Sequence, residues 1–251
     1  MTRISQKTNK SIKWLTIKTD YNPSVAARYS GNNSGRLFFC SGEAVENENI
    51  KQVRAMIFVD FWNYTLNMKN YDPCFKTNWY ELPWAITKAL ISLLKINVDV
   101  FSYQGMFIAG SYDPHKELGL YNWASNTLVQ VSGARVDFKP RQKVQSGPCC
   151  IGPDHHEITQ CPICANSMLG TREKGVDAQI VIEMMKCAWE GAYNVGVIVS
   201  NDRDFTPAVS HLADKGIRFV HGRFRSSGGH ELRKICWSEI EMTSICSEFK
   251  R

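Results

Sequence analysis

Carboxylate side chains stand at the ends of apolar runs in distant parts of the chain. Asp60 closes the run AMIFVD, and Asp202 follows the run NVGVIVS. Asp177 lies in EKGVD, at the start of the predicted helix that precedes the second run. Carboxylates that are brought together repel each other unless a cation neutralises them. Hard oxygen ligands suit Mg²⁺ or Mn²⁺, which also bind phosphate, so these acids are candidate ligands of a catalytic divalent ion.

Further polar residues stand beside these acids. Asn63 follows Asp60 by one helical turn, and Asp204 follows Asp202 by two residues. They could orient a water molecule or a second ion. A divalent ion in such a site can activate water and stabilise charge on a phosphodiester. We therefore predict a catalytic set of Asp60, Asn63, Asp177, Asp202 and Asp204, in which Asp60, Asp177 and Asp202 bind the metal.

Each of these residues also has a purely structural interpretation. Asp204 precedes Phe-Thr-Pro and could be a helix N-cap, and Asp177 could be one as well. Asn63 could cap the turn after the first strand, and Lys174 could be an ordinary surface charge. Asp60 is the hardest to explain in this way, because an acid at the end of a buried strand is costly unless it is paired.

The apolar periodicity predicts the elements that must position these side chains. Strands are predicted at 54–60, 98–109, 134–139, 194–200 and 217–221, and helices at 84–96, 118–131, 181–188 and 205–215. The alternation predicts an α/β fold with a parallel sheet flanked by helices on both faces. The strand at 217–221 is expected to be the last. Ligands of such sheets bind beyond the carboxyl ends of the strands, where Asp60 and Asp202 would meet.

The motifs IFVDFWN, EKGVD and VIVSNDRDF, in this order, resemble the NYN family of PIN-like domains and its LabA-like branch in particular. The resemblance covers about residues 54–222. It implies a PIN-like (Rossmann-like) fold and a Mg²⁺- or Mn²⁺-dependent ribonuclease site. The implied site residues are Asp60 on the first strand, Asn63 beside it, Asp177 of the KGVD motif, and Asp202 and Asp204 of the Ser-x-Asp-x-Asp-Phe motif. Asn201 stands where the family commonly has Gly, and Asn tolerates unusual backbone angles almost as Gly does.

A cysteine- and histidine-rich insert at about 140–173 interrupts the α/β pattern with the stretch CCIGPDHHEITQCPIC. Its Cys-Pro-Ile-Cys knuckle is typical of a small zinc ribbon, in which four ligands hold Zn²⁺ tetrahedrally. The preferred ligands are Cys150, His155, Cys161 and Cys164. Cys149 and His156 remain alternatives to their neighbours, as does a set that uses both Cys149 and Cys150. The other interpretation is a reduced loop without metal.

The formal charge of +6 is concentrated in the first part of an N-terminal arm, residues 1–50. Residues 1–36 contain seven basic residues and one acidic residue, so this segment carries the whole excess. A basic arm suits a polyanionic partner such as RNA, although a solubilising tail would have the same composition. The rest of the chain, residues 51–251, is expected to form the NYN-like domain with its insert.

The cysteine count and the lack of long apolar runs bear on location. The nine cysteines are an odd number, and no secretory signal or membrane span is visible, so we expect a cytoplasmic protein without a disulfide framework. The sequence does not show whether the chain forms a homo-oligomer.

Taken together, these features predict a metal-dependent endoribonuclease that hydrolyses RNA. The alternative is an RNA- or protein-binding module whose PIN-like site is inactive. A phosphatase ranks lower because no Asp-x-Asp motif follows the first strand, and no G-x-G-x-x-G indicates dinucleotide binding.

Overall fold

The computed structural model describes residues 52–143, 157–225 and 228–251. The basic arm lies outside the described residues, as do Cys149, Cys150, His155 and His156. The predicted boundary between the arm and the domain therefore stays a prediction.

Six strands form the main sheet, and a further two form a small separate pair. The main strands are β1 (Val53–Asp60), β2 (Phe101–Tyr112), β3 (Ala134–Pro140), β6 (Val195–Val199), β7 (Arg218–Arg223) and β8 (Ser238–Glu241). The short pair consists of β4 (Gln142–Lys143) and β5 (Thr171–Arg172). The helices are α1 (Phe61–Tyr71), α2 (Leu82–Leu94), α3 (Leu118–Asn126), α4 (Val176–Trp189), α5 (Thr206–Asp214) and α6 (His230–Ile235).

All neighbouring strands of the main sheet run parallel, in the order β3-β2-β1-β6-β7-β8. The chain builds outward from β1 to β3, returns to the centre at β6, and builds outward again to β8. The direction of winding thus reverses between β1 and β6. In doubly wound sheets the ligand crevice lies at the carboxyl ends of the strands that flank such a reversal. The predicted α/β parallel sheet with flanking helices is confirmed.

Helices cover both faces of the sheet because side chains alternate along each strand. On β1, Ile57 and Val59 are buried in a core shared with α1, α2 and α3. Met56 and Phe58 point to the opposite face, where the core is shared with α4, α5 and α6. The central strands are therefore almost wholly apolar, and the polar end of β1 stands out.

Several boundaries differ from the sequence prediction. The strand at 217–221 is not the last, because α6 and β8 follow it. Helix α1 was not predicted, although Phe61, Tyr64 and Met68 form its buried side. Strand β2 begins at Phe101 because Asn97 caps a preceding 3₁₀ turn. None of the helices in the described parts of the chain has both the length and the apolar character that crossing a membrane requires.

Candidate active site

Asp60 lies at the carboxyl end of β1 and is the N-cap of α1. One carboxylate oxygen accepts a hydrogen bond from the backbone N–H of Asn63 at 3.1 Å. The other accepts one from the hydroxyl of Ser200 at 3.2 Å. Burial, followed by the nearby charges of Asp177 and Glu173, raises the pKa of Asp60 to about 7 against the lowering effect of its hydrogen bonds. Its position is fixed from two sides, and its ionised form is disfavoured.

Asp60, Asp177 and Asp202 converge at the crevice between β1 and β6. Each offers a carboxylate oxygen, and these oxygens all lie within 4.8 Å of one another. Asp177 is in the first turn of α4, which begins after Gly175 turns the chain with a φ of 79°. Asp202 is the third residue after the end of β6. The structure thus brings together the three acids that the sequence proposed as metal ligands.

The charges around Asp177 show that the site is strongly negative. Its pKa is raised to about 6, first by burial and then by Asp202, Glu173 and Asp204. Every charged neighbour that raises the pKa of Asp177 is thus another carboxylate. Carboxylate oxygens are hard ligands that Mg²⁺ and Mn²⁺ prefer, and a bound cation would relieve the repulsion between these acids. The residues therefore fit a divalent ion.

Helix-capping roles fall on different acids from those that the sequence suggested. Asp202 caps the short 3₁₀ turn at Arg203–Phe205 by accepting the N–H of Asp204 at 2.9 Å. The N-cap of α5 is Phe205, and no side chain caps that helix, so the N-cap interpretation of Asp204 is wrong. It is also wrong for Asp177, because α4 has Gly175 as its N-cap. Asp204 is exposed beside the converged acids.

Asn63 joins the two strands that flank the crevice. Its side-chain oxygen accepts the backbone N–H of Asn201 at 2.9 Å and also a bond from Asn67 at 3.0 Å. The turn after β1 is capped by Asp60, not by Asn63. The amide of Asn63 therefore holds the start of the loop after β6 in place beside Asp60.

Asn201 contributes through its side chain, not through an unusual backbone angle. Among the described residues, the non-glycine positions with positive φ are Lys95 and Ala165. The amide of Asn201 instead brackets the backbone of Phe224, donating to its carbonyl and accepting from its N–H, both at 3.3 Å. This clamp ties the loop after β6 to the loop after β7, a role that Gly cannot perform.

Glu173 is a further acid of the site that the sequence analysis did not select. It raises the pKa of both Asp60 and Asp177, and its carboxylate accepts a hydrogen bond from the buried hydroxyl of Ser111. The same hydroxyl accepts a bond from Arg141 at 3.1 Å. Glu173 was visible in the EKGVD motif, but nothing in the spacing showed that its side chain turns toward Asp177.

A family model for the NYN domain matches residues 112–242, more than half of the chain. The chain belongs to the NYN domain family. The matched range contains Asp177, Asp202 and Asp204, whereas Asp60 and Asn63 lie before it and join the site through the fold. The NYN domain is PIN-like and nuclease-like, and the acidic cluster at its crevice agrees with that class.

Comparison with solved structures supports the fold of this NYN domain. A protein of unknown function from Vibrio parahaemolyticus aligns with a TM-score of 0.50 and 10% sequence identity. The alignment covers 82% of this chain and 100% of the other. At this identity the similarity concerns the fold alone. A search of curated proteins found no match.

The Cys161–Cys164 knuckle of the insert is a tight turn. The carbonyl of Cys161 accepts the N–H of Ala165 at 2.9 Å, and Ala165 has a φ of 58°. The backbone N–H of Cys164, and to a smaller extent that of Ile163, lowers the pKa of the Cys161 thiol. N–H groups aimed at a sulfur favour its thiolate, which is the form that binds metal. The other predicted zinc ligands lie outside the described residues, so the zinc site stays a prediction.

Proposed function

We propose that this NYN domain is a divalent-metal-dependent endoribonuclease that hydrolyses RNA phosphodiester bonds. The observation that carries the proposal is the convergence of Asp60, Asp177 and Asp202, whose oxygens lie within 4.8 Å of one another. Three separate elements supply them, and no basic side chain among the described residues forms an ion pair with any of the three. Like charges held together, one of them buried, destabilise the fold, so we infer that a cation is their functional counterpart.

Asp60, Asp177 and Asp202 would hold the ion, which we propose to be Mg²⁺ or Mn²⁺. When bound, such an ion supplies a Lewis acid for the phosphoryl oxygens and lowers the pKa of a coordinated water. The ligand oxygens are all carboxylate oxygens, which are hard donors that suit these ions better than zinc.

The chain's own residues then have distinct tasks. Ser200 and the N–H of Asn63 hold both oxygens of Asp60 in one orientation, which preorganises the site before substrate binds. Asn63 keeps the loop that carries Asp202 against β1. Asp204 is exposed next to the cluster, where its carboxylate could accept a hydrogen bond from an attacking water.

RNA as the substrate rests on the family resemblance and on the basic arm. Residues 1–36 of the arm carry seven basic residues and one acidic residue, and such segments bind nucleic-acid phosphates. A cytoplasmic location and a homo-oligomeric state remain predictions from the sequence.

The proposal is tested by incubating the purified full-length chain with end-labelled RNA in Mn²⁺, with and without EDTA. Wild-type protein should cleave internally, and EDTA should stop it. Asp60→Asn and Asp177→Asn should remove cleavage, whereas Asp214→Asn, at an exposed position at the end of α5, should not. Full cleavage by either site variant would exclude this mechanism. RNA binding without turnover in the wild type would favour the alternative, a binding module.

We further propose that the insert binds a structural zinc ion through Cys161 and Cys164. Their tight turn and the lowered pKa of Cys161 support this assignment. Cys150 and His155 are the predicted remaining ligands. The antiparallel pair of β4 and β5 joins the two ends of the insert, so the proposed zinc ion would lie in a loop whose base is already closed.

A further inference from the structure

Basic side chains lie on both sides of the acidic crevice. On the β7–β8 side, arginines are neutralised by glutamates of β8. Arg223 contacts Glu239 at 3.0 Å and Glu241 at 3.0 Å, and Arg233 contacts Glu239 at 2.8 Å. Arg225 lies 3.8 Å from Glu241. These three arginines therefore already have carboxylate partners.

On the β3 side, Arg135 is paired with Glu183 and Arg141 with Glu117, whereas Lys139 and Lys143 form no ion pair with a described residue. Lys139, Arg141 and Lys143 occupy alternate positions along the segment that runs from β3 into β4. The ammonium group of Lys139 donates to the neutral amide of Gln179 at 3.0 Å. Lys143 is exposed. We call these three basic residues the β3 track.

Arg141 is held in a defined orientation within the β3 track. Its guanidinium lies over the ring of Trp62, 5.0 Å from the ring centroid, and donates to Ser111 at 3.1 Å. Ser111 in turn donates to Glu173 of the acidic site. Glu117 is an ion-pair partner of Arg141, at 3.5 Å. The contacts with Trp62, Ser111 and Glu173 connect the track to the crevice.

An aromatic pair lies beside the β3 track. The rings of Tyr112 and Tyr121 stack with centroids 4.7 Å apart and an interplanar angle of 27°. Tyr112 is adjacent to the track because its carbonyl accepts the backbone N–H of Arg141 at 2.8 Å. Tyr121 is 37% exposed. An exposed tyrosine that is already supported by a second ring is a suitable platform for one more flat group.

We propose that a single strand of RNA reaches the acidic crevice across the β3 track and stacks a base on Tyr121. The proposal rests on the nuclease function above and adds the path of the substrate. Lys139 and Lys143 would bind the phosphates, and aromatic rings stack unpaired bases, which is how proteins recognise single strands. A duplex keeps its bases paired and cannot use Tyr121 in this way.

The test measures binding of a fluorescein-labelled oligouridylate to the full-length chain by anisotropy, in EDTA so that cleavage plays no part. Tyr121→Ala should weaken binding about tenfold, and Tyr121→Phe should restore it because the ring is kept. Lys139→Ala and Lys143→Ala should each weaken binding. Each should also reduce the slope of log affinity against log salt by about 0.7, the value for one phosphate contact.

The matched control is Lys215→Ala, an exposed lysine in the turn between α5 and the amino end of β7. It should bind like the wild type, and the basic arm is common to all variants. If Lys215→Ala and Lys143→Ala lost RNA affinity equally, the proposed path would be wrong. Wild-type affinity in Tyr121→Ala, or tighter binding of duplex than of single-stranded RNA, would also contradict it. Melting curves show whether Tyr121→Ala is folded, and the exposed lysines test the track independently. If RNA binding depended on the residues of the β3 track but the wild type did not cleave RNA in Mn²⁺, only the nuclease function would be refuted.

Discussion

Ser200 fixes Asp60 from the neighbouring strand. Its hydroxyl donates to the carboxylate of Asp60 at 3.2 Å and accepts the backbone N–H of Asp202 at 3.0 Å. Ser200 is itself fully buried. One hydroxyl therefore links two of the proposed metal ligands, one at the end of β1 and one just after β6.

Ser200→Ala should weaken metal binding more than it harms turnover at saturating metal. Loss of the hydroxyl leaves the N–H of Asp202 and one oxygen of Asp60 without this partner, at a cost of about 1–3 kcal/mol in unfolding free energy. The Mn²⁺ concentration for half-maximal cleavage should rise several-fold. Ser132→Ala, at an exposed serine before β3, is the control. An unchanged Mn²⁺ requirement in Ser200→Ala would show that the linkage does not matter for the site.

Asn201→Gly should destabilise the protein even though it restores the common residue of the family. The substitution removes both hydrogen bonds to the backbone of Phe224, and each buried group left unpaired costs about 1–3 kcal/mol. Amide exchange at Phe224 should become faster and the melting temperature should fall. If Asn201→Gly melted at the wild-type temperature, the clamp would have no energetic importance.

Much of the sheet could be predicted from sequence because its central strands are buried on both faces. Runs such as the one ending at Asp60 have no helical periodicity and are bounded by polar residues, so β1 was predicted almost to the residue. Strand β8 was missed because Glu239 and Glu241 make it look like a surface loop. Their charges are compensated by Arg223, which comes from a different strand, and sequence alone does not show such pairing.

The acidic site was predictable in composition but not in its supporting contacts. Asp60, Asp177 and Asp202 follow strand ends or precede a helix, and topology brings such positions to one edge. The roles of Ser200 and Asn201 depend on side-chain directions across neighbouring strands, which have no sequence period. Capping was considered for Asp204 and not for Asp202 because the intervening 3₁₀ turn was not anticipated.

Asp60→Asn should stabilise the metal-free fold at neutral pH and above while it removes cleavage. The pKa of Asp60 is raised from its ordinary 3.8 to about 7 in the fold. Its contribution to stability is therefore fully present below its ordinary pKa and is lost as the pH rises through about 7. Asn cannot ionise, and its amide oxygen can still cap α1.

The measurement is the melting temperature of metal-free wild type and Asp60→Asn from about pH 5 to about pH 8. The advantage of the variant should be greatest at the upper end and should shrink on acidification. Added Mn²⁺ should stabilise the wild type only. A variant that is less stable than the wild type at every pH would contradict the repulsion inferred at this site.

Cys164→Ser should remove zinc from the insert without altering the acidic site. Metal analysis of the purified wild type should find about one zinc per chain, the stoichiometry of a single tetrahedral site. Cys164→Ser should contain much less zinc, whereas Cys74→Ser, at an exposed cysteine outside the insert, should retain its zinc. Wild-type protein free of zinc under reducing conditions would support the metal-free interpretation of the loop.

The central claim is that Asp60, Asp177 and Asp202 bind one divalent ion together. Direct titration of Mn²⁺ into the metal-free chain, with free ion measured by its EPR signal, tests this without any assumption about substrate. Wild type and Asp214→Asn should bind alike, and Asp177→Asn should bind about tenfold or more weakly. Equal Mn²⁺ affinity in Asp177→Asn and the wild type would contradict the shared site.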